Sequence, residues 1–265
     1  MFHTRFVLVQ TSHAGNVGAI ARAMRTMGFV DLVLVAPRWP DVLQHQEAID
    51  RASGAHDVLE RARVVQTLDA ALDGIHHVCA TAMVPRDFGP PTRSPREHLQ
   101  ALPATLAARA APGQVPGVAF VFGSERFGMR NEDVYRCDVA LRIPTDAQFG
   151  SLNIAAAVQV IAYEWRLSLQ AAAMLADAAP APADTGGAQR AGAEALADAA
   201  TLAGMLAHWQ EGLQALGYLD PKAPRKLMPR LRQLFLRAQP TEQEIHILRG
   251  IAKAMLEVAG KSAAR

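Results

Sequence analysis

The residues best suited to chemistry in this sequence lie in a polar loop that leads into an apolar helix. Ser151, Leu152 and Asn153 precede an Ile-Ala-Ala-Ala-Val run, and the apolar pattern continues to about Gln170. Ser and Asn are good helix N-caps because their side chains accept hydrogen bonds from the free N–H groups of the first turn. A helix that is apolar on every side is expected to be buried. The loop would then present N–H donors at the mouth of a buried helix, where a small ligand can be held. The alternative is a core helix with an effective cap.

Two earlier segments carry further candidate residues, and both follow apolar runs typical of buried strands. The first runs from Asn16 to Met24 and includes Arg22, and the second spans residues 120–129 and includes Gly123 and Glu125. Gly123 would let the backbone come close to a ligand. No P-loop and no His/Cys/Asp spacing typical of a metal site is present, so we expect no metal.

The turn Gly15-Asn16-Val17-Gly18 invites comparison with a dinucleotide-binding fingerprint. His13 occupies the position of the leading glycine, and the second strand ends in Ala36-Pro37 without an acid to hold a ribose hydroxyl. A nicotinamide-dependent enzyme is therefore disfavoured.

Short apolar runs alternate with helical segments through the first two thirds of the chain. We predict strands at 6–9, 32–35, 64–65, 77–80, 118–122 and 139–143. The helices are predicted at 17–27, capped by Asn16, at 46–61 with a break near Gly54, and at 68–73, capped by Thr67. Further helices are predicted from Pro95 onward, with a capping box of Ser94 and Glu97, after Asn131 as cap, and from 154 to about 170. Continuous apolar strands alternating with helices predict an α/β fold, with a parallel sheet covered by helices on both faces.

The composition changes after this region. Residues 1–170 form the predicted α/β domain, residues 171–200 have the Ala/Pro/Gly composition of a linker, and residues 201–265 read as a small all-helical unit. The helical unit contains a cluster of basic residues that a helix would present as a basic face to phosphates. These residues are Lys222, Arg225, Lys226, Arg230, Arg232 and Arg237. The alternative is an ordinary solvated helix surface.

Length and charge fit an ordinary globular protein. The 265 residues are 50% hydrophobic and carry a formal net charge of +2. No apolar run reaches the roughly 18 residues that a membrane span requires, and the N-terminus shows no signal-peptide pattern. Cys79 and Cys137 lie in apolar contexts, so we expect buried free thiols in the cytoplasm.

The three candidate segments, taken together and in this order, closely resemble the three motifs of SPOUT-class RNA methyltransferases, in the branch that methylates ribose 2′-oxygens. The resemblance covers about residues 5–168. Thr11-Ser12-His13 before Asn16, the Phe122-to-Gly128 segment and the basic helical C-terminal unit are most similar to bacterial tRNA enzymes that modify pyrimidine 32 of the anticodon loop. The resemblance implies a C-terminal trefoil knot within the α/β domain, S-adenosylmethionine as methyl donor, tRNA as substrate and a homodimer.

The resemblance also implies roles for individual residues. Donor-binding residues would be Thr81, Ala82, Met83, Gly123, Ile143, Ser151, Leu152 and Asn153. Catalytic residues would be Arg22, Asn16, Glu125, Ser151 and Asn153. RNA-binding residues would be Arg86, Arg93 and Arg126, together with Lys222, Arg225, Lys226 and Arg230 of the basic unit.

The chemistry favours one of two roles for Arg22. The methyl group of a sulfonium is already activated, so the enzyme mainly positions it. The ribose hydroxyl is a very weak acid, but a guanidinium does not ordinarily give up its proton. We therefore favour Arg22 as a cation that stabilises the developing alkoxide and binds an adjacent phosphate, and a literal base remains the alternative.

Three other functions stay open. They are an inactive RNA-binding protein of the same fold, a methyltransferase acting on ribosomal RNA, and the disfavoured nicotinamide enzyme.

We expect the homodimer to be built from the N-terminal domain. Val17, Ile20 and Met24 of the first helix, together with the last helix of the domain, would lie at a two-fold interface.

Overall fold

The computed structural model describes residues 2–82, 84–178 and 194–263. Its strands are β1 (His3–Val9), β2 (Asp31–Val35), β3 (Arg63–Val65), β4 (His77–Thr81), β5 (Thr92–Arg93), β6 (Gly117–Phe122) and β7 (Val139–Leu141). Its helices are α1 (Ala14–Thr26), α2 (Gln46–Ala52), α3 (His56–Arg61), α4 (Leu68–Ala71), α5 (Pro95–Arg109), α6 (Asn131–Val134), α7 (Ile154–Ala178), α8 (Ala199–Ala215), α9 (Leu227–Ala238) and α10 (Glu242–Ala263).

The strands form one sheet in the order β3-β2-β1-β6-β4-β7-β5, and every neighbouring pair is parallel. All six residues of β6 are buried, as expected for a central strand with helices on both faces. The predicted α/β architecture is confirmed. The sequence did not predict β5, because two residues are too few to show a pattern.

Each face of the sheet contributes its own apolar core. On one face Phe6 and Phe120 of the sheet pack with α1, α5 and α7, and Trp165 of α7 is fully buried there. The indole of Trp165 donates a hydrogen bond to Thr4 Oγ1 at 2.9 Å, which satisfies its only polar group. On the other face Val7 and Val121 pack with α4 and α6.

Several helix and strand ends differ from the predicted ones. The N-cap position of α1 is His13, so Asn16 is the third residue of the helix and does not cap it. Asn131 is likewise the first residue of α6 and not its cap. Strand β7 ends at Leu141, which leaves Ile143 in the following loop. The capping box of Ser94 and Glu97 at the start of α5 is confirmed.

Helix α7 is buried on one face only, so the prediction of burial on every side is wrong. Its inner face packs in the core through residues such as Val158 and Ile161, while its outer face exposes Tyr163, Leu167 and Met174. The outer face carries these apolar side chains although no part of the described chain covers it.

The residues predicted for the dimer interface on α1 are not available for it. Val17, Ile20 and Met24 are fully buried in the core of their own chain, between α1 and its neighbours. Gly18 lies on the same helix, and a Cβ there would collide with the carbonyl oxygen of Ala48 in α2. That face of α1 is therefore used for packing within the domain.

The C-terminal helices form a small core of their own that rests against the α/β domain. Leu202, Met205 and Phe235 belong to this core. At the junction the Ala199 N–H donates to the carbonyl of Ile75 at 2.7 Å, and Gly74 N–H donates to the Asp198 carboxylate at 3.0 Å. The contact offsets the limited stability expected of so small a unit.

The predicted linker is only partly described. Residues 171–178 continue α7 instead of starting a linker, because an Ala-rich segment favours helix. Residues 179–193 lie outside the described residues. Leu196 forms a β-bridge with Thr241, and α8 begins at Ala199. In the part of the chain that is described, no helix combines the length and apolarity required to cross a membrane.

A buried polar cluster lies beneath α5, away from the predicted site residues. His77 Nε2 and His98 Nε2 are 2.9 Å apart, and the Sγ of Cys79 lies within 4.8 Å of both. The spacing along the sequence did not predict this cluster. Burial lowers the pKa of both imidazoles to about 4, so both are neutral and share a hydrogen bond. Cys79 and Cys137 are buried free thiols, as predicted.

Asp138 beside this cluster gives a pH-dependent prediction. Burial raises its pKa to about 7, although Val78 N–H donates to its carboxylate at 2.7 Å. Between about pH 4 and about pH 7 Asp138 ionises in the unfolded chain while the native state keeps its proton, so stability falls as pH rises through this range. Asp138→Asn should stabilise the protein relative to wild type by about 3 kcal/mol more at pH 8 than at pH 5, by integration over that range.

Denaturant unfolding of both proteins at the two pH values measures this difference. His77 and His98 titrate in the same range and are present in both proteins, so the difference reports Asp138 together with its 3.8 Å contact to His77 Nδ1. The exposed Asp73→Asn provides the matched control. A pH-independent difference between Asp138→Asn and wild type would show that Asp138 ionises normally.

Candidate active site

A cavity of about 510 Å³ lies at the carboxyl ends of β4, β6 and β7. Open parallel sheets bind ligands at this edge. Its walls come from the ends of these strands, from the loop after β6 and from the segment that leads into α7. The predicted donor-binding residues in its lining are Thr81, Ala82, Gly123, Ile143, Ser151, Leu152 and Asn153. Met83 lies outside the described residues.

A hydrogen-bonded network joins the three candidate segments beside this cavity. Asn16 Nδ2 donates to Glu125 Oε1 at 3.1 Å, and Asn153 Nδ2 donates to Asn16 Oδ1 at 3.1 Å. Asn16 thus links the loop after β6 to the start of α7. Its amide is used for this link, which explains why it does not cap α1.

The carboxylate of Glu125 is the centre of the network. It also accepts hydrogen bonds from Thr11 Oγ1 at 2.9 Å and from the N–H and hydroxyl of Ser12, each at 3.0 Å. Partial burial alone would raise the pKa of Glu125, but hydrogen bonds from its own backbone, Asn16, Thr11 and Ser12 outweigh burial and lower the pKa. Glu125 is therefore ionised and fully hydrogen-bonded, an arrangement suited to holding two loops together and not to accepting a proton.

Gly123 is required for the packing of its own loop. A Cβ at this position would collide with the backbone of Gly128 and Met129. The loop is closed by the Gly128 N–H, which donates to the Ser124 carbonyl at 2.8 Å, and Gly128 has φ of 66°. The close approach that glycine permits is thus between two parts of the loop.

The start of α7 agrees with the predicted capped helix at the mouth of a cavity. Asn153 Oδ1 accepts the Ala155 N–H at 2.9 Å and so caps the helix. Ser151 and Leu152 precede it, are exposed and line the cavity. Apolar groups of Leu141, Ile143 and Leu152 lie in the same lining as the polar groups of Ser151 and Asn153.

The predicted arginines divide into two groups. Arg86 and Arg126 line the cavity, and the Nε of Arg86 is buried without a hydrogen-bond partner among the described residues. Arg22 and Arg93 are exposed and do not line it. Arg22 lies about 9 Å along the α1 axis from Asn16, at 1.5 Å per residue, so its backbone is well removed from the cavity end of the helix.

The basic residues near the C-terminus do not share one helix face. Lys222, Arg225 and Lys226 lie in the loop between α8 and α9, whereas Arg230 lies on α9. The prediction of one basic helix is wrong because Pro221 and Pro224 interrupt the segment. Arg225, Lys226 and Arg230 nevertheless line a common cavity of about 680 Å³.

Sequence reasoning missed several residues of the site. Thr11 and Ser12 hold Glu125, and Val84, Phe127 and Met129 line the cavity. Thr11 and Ser12 follow β1 at the carboxyl edge of the sheet. That position is the signal that could have identified them.

Two family models match the chain. The model of the SpoU rRNA Methylase family matches residues 3–163, and that of the tRNA methyltransferase TrmJ, C-terminal domain, matches residues 200–264. The predicted resemblance to RNA ribose methyltransferases is thereby confirmed, and enzymes of this family use S-adenosylmethionine.

Known relatives extend over nearly the whole chain. It is 42% identical over 255 residues to the tRNA (cytidine/uridine/adenosine-2′-O-)-methyltransferase TrmJ of Pseudomonas aeruginosa (strain UCBPP-PA14), which covers 96% of this chain and 94% of the relative. It is 40% identical over 253 residues to the tRNA (cytidine/uridine-2′-O-)-methyltransferase TrmJ of Klebsiella pneumoniae, with 93% of each chain covered. The crystal structure of TrmJ from Z. mobilis ZM4 is similar with a TM-score of 0.75 and 30% identity, over 95% of this chain and 98% of that one. The chain therefore belongs to the SpoU methylase family, in its TrmJ branch.

Proposed function

We propose that this protein methylates a ribose 2′-hydroxyl of tRNA with S-adenosylmethionine, at pyrimidine 32 of the anticodon loop. The observation that carries the proposal is the Asn153–Asn16–Glu125 network, which brings the three motif segments together at one cavity. The relatives that match both the α/β domain and the C-terminal unit are named as tRNA 2′-O-methyltransferases. We expect the enzyme to work in the cytoplasm, and we propose the divisions 1–170, 171–200 and 201–265 as its functional units.

The cavity suits the methyl donor in size and in chemistry. Its volume of about 510 Å³ is within the usual range of small-molecule sites. Leu141, Ile143 and Leu152 offer an apolar wall for the adenine ring, and Ser151 and Asn153 offer polar groups for the methionine end. The buried, unpartnered Nε of Arg86 supplies a donor for an anionic group. Members of this class hold the donor in a trefoil knot, and we infer that the loops around this cavity form one.

The chain's own residues then supply positioning and charge. The bound donor brings an activated methyl group, so the protein's task is to place the ribose oxygen in line with it. Arg22 stabilises the negative charge that develops on that oxygen and binds the adjacent phosphate. Asn16, Glu125 and Asn153 hold the loops that shape the cavity, and Ser151 offers its hydroxyl to the ligand from the cavity wall.

A homodimer reconciles the place of Arg22 with this role. Arg22 does not line the cavity of its own chain, and its guanidinium has no partner among the described residues. The exposed apolar face of α7 belongs to the same domain and offers a surface for a second copy. We propose that a two-fold interface on α7 brings Arg22 of one chain towards the cavity of the other.

A charge placed on the exposed apolar face of α7 tests the proposed homodimer. Leu167→Asp places a charge on this face and should convert the dimer to a monomer with loss of activity, because burying an unpaired carboxylate is costly. Light scattering measures the mass of the variant. Ile247→Asp, on the exposed surface of α10, is the matched control and should remain dimeric. A wild-type protein that is monomeric and fully active would exclude the dimer.

We propose that the loop between α8 and α9 binds the tRNA backbone. Arg225→Ala combined with Lys226→Ala should weaken tRNA binding about tenfold. The slope of log K against log[salt] should become shallower by roughly 1.5 to 2, because binding with fewer phosphate contacts releases fewer counterions. Filter binding at several salt concentrations measures both quantities. Lys253→Ala with Lys261→Ala on α10 removes the same charge elsewhere. Equal losses of tRNA affinity in the two double variants would show that the loop contributes only through the net charge of the protein.

Methyl transfer to different RNAs separates this function from its alternatives. The wild-type protein is incubated with radiolabelled S-adenosylmethionine and either tRNA or ribosomal RNA. Label in tRNA alone is expected. Label in ribosomal RNA alone would favour the ribosomal alternative, and donor-dependent thermal stabilisation without any transfer would favour an inactive RNA-binding protein.

A further inference from the structure

We propose that two exposed aromatic rings, Phe127 in the cavity lining and Phe88 in the loop after β4, stack the unpaired bases on either side of the methylated nucleotide. This inference rests on the proposed function, because it assigns neighbours of the target ribose to two places on the protein surface. The ligand class is an unpaired nucleobase with its adjoining phosphate.

Phe127 is a large apolar side chain displayed on a rigid turn. It is 79% exposed and lines the cavity. The turn is held by the hydrogen bond from Phe127 N–H to Ser124 Oγ at 3.2 Å and by the closure between Ser124 and Gly128. Because the backbone is fixed by these bonds, the ring is presented to solvent at little conformational cost on binding.

Phe88 is displayed in a different way, by an unfavourable backbone conformation. It has φ of 60°, in the left-handed region that bulky residues seldom adopt, and it is 41% exposed. The Tyr135 hydroxyl donates to the carbonyl of Asp87 at 3.1 Å and holds the turn from α6. Glycine would adopt this backbone conformation without strain, so the turn itself does not require phenylalanine. The strain therefore points to a functional position for the ring.

Each ring is paired with an arginine. The guanidinium carbon of Arg126 lies 5.2 Å from the centroid of Phe127, and that of Arg230 lies 4.6 Å from the centroid of Phe88. An aromatic face beside a cation is the combination with which proteins bind single strands, because the ring stacks a base while the cation contacts the phosphate. Arg230 belongs to α9 and lines a common cavity with Arg225 and Lys226, so this pair joins the loop after β4 to the basic residues of the C-terminal unit.

The two rings lie on different loops, and both loops contribute residues to the cavity lining. Phe127 and Arg126 belong to the loop after β6, and Phe88 follows Arg86, which lines the cavity from the loop after β4. Reaction at a ribose oxygen requires the backbone of one nucleotide to enter the cavity. The bases of its neighbours must then remain at the rim, where RNA loops are commonly held by aromatic stacking.

The stacking is tested directly by a double-mutant cycle in which the protein loses the aromatic ring, the RNA loses the base, or both are removed. The substrate is an anticodon stem-loop RNA, intact or with an abasic site immediately 5′ or 3′ of the methylated nucleotide. Phe127→Leu and Phe88→Leu keep an apolar side chain but remove the π face, and Phe127→Tyr and Phe88→Tyr keep it. The readout is kcat/KM for the RNA at saturating donor.

We expect each Leu variant to lower kcat/KM on intact RNA by about five- to 100-fold, the range found for loss of one stacked base. On the RNA that already lacks the stacked base the same variant should cost less than about twofold, because the two changes remove one contact. Each Tyr variant should restore most of the loss. Trp39→Ala removes a third arginine-paired ring, beside Arg38 in the segment between β2 and α2, and should have little effect.

If a Leu variant lowers kcat/KM by the same factor on the intact RNA and on the RNA without the neighbouring base, the inference is overturned. The ring would then contact something other than that base, such as a second copy of the chain. Equal losses in Trp39→Ala would overturn it as well. Failure of the wild-type protein to methylate the intact stem-loop would instead contradict the proposed function.

Discussion

Arg22→Ala is expected to lower the single-turnover rate of methyl transfer by roughly 10² or more, the usual scale for removing one preorganised charge stabiliser. The charge on the ribose oxygen exists only in the transition state, so donor affinity should change by no more than a few-fold. Arg22→Lys should restore only part of the rate, because lysine lacks the planar fork that can bind a phosphate and an alkoxide together. The assay uses saturating enzyme and a tRNA transcript, so that weaker RNA binding cannot imitate slower chemistry.

The same variant tests how Arg22 reaches the reaction. Mixed dimers of Arg22→Ala with a Gly123→Ala chain, whose cavity loop is disrupted, should regain activity, because one intact cavity then faces one intact Arg22. Arg25→Ala, on the same exposed surface of α1, is the matched control. A single-turnover rate near wild type in Arg22→Ala would remove Arg22 from the mechanism.

Glu125→Ala is expected to have the second largest effect, through the architecture of the cavity. The change leaves the donors of Thr11, Ser12 and Asn16 without their acceptor. Unsatisfied buried donors cost about 1 to 3 kcal/mol, and the loop after β6 loses its link to α1. We expect at least a tenfold loss of donor affinity together with reduced stability, in contrast to Arg22→Ala.

Calorimetry with S-adenosylmethionine and thermal unfolding measure the two effects. Because the pKa of Glu125 is lowered in the native state, its contribution to stability is present at neutral pH and is lost as pH falls through that lowered value. Glu60→Ala, an exposed carboxylate of α3, is the control. Unchanged donor affinity in Glu125→Ala would show that the network does not shape the donor site.

The sheet could be predicted because buried parallel strands appear as apolar runs, and β6 is buried along its whole length. Local capping signals were equally informative at Ser94 and Thr67, whose side chains accept hydrogen bonds from nearby N–H groups. These features depend on residues within one or two turns of each other. The sequence therefore contains all the information they require.

The errors arise where distant residues decide the outcome. Asn16 has the propensity of a cap, but its amide is engaged by Glu125, which is 109 residues away. Val17, Ile20 and Met24 have the pattern of an interface, yet α2 and the sheet cover them. His98 joins His77 and Cys79 only because α5 lies over β4. No spacing along the chain reports such contacts.

The most direct test of the proposed reaction removes a single oxygen from the substrate. A tRNA transcript with 2′-deoxyribose at nucleotide 32 is compared with the all-ribose transcript, and incorporation of the labelled methyl group is measured under single-turnover conditions. We expect stoichiometric methylation of the all-ribose tRNA and none of the 2′-deoxy-32 tRNA, with similar binding of both. Equal methylation of the two transcripts would contradict it.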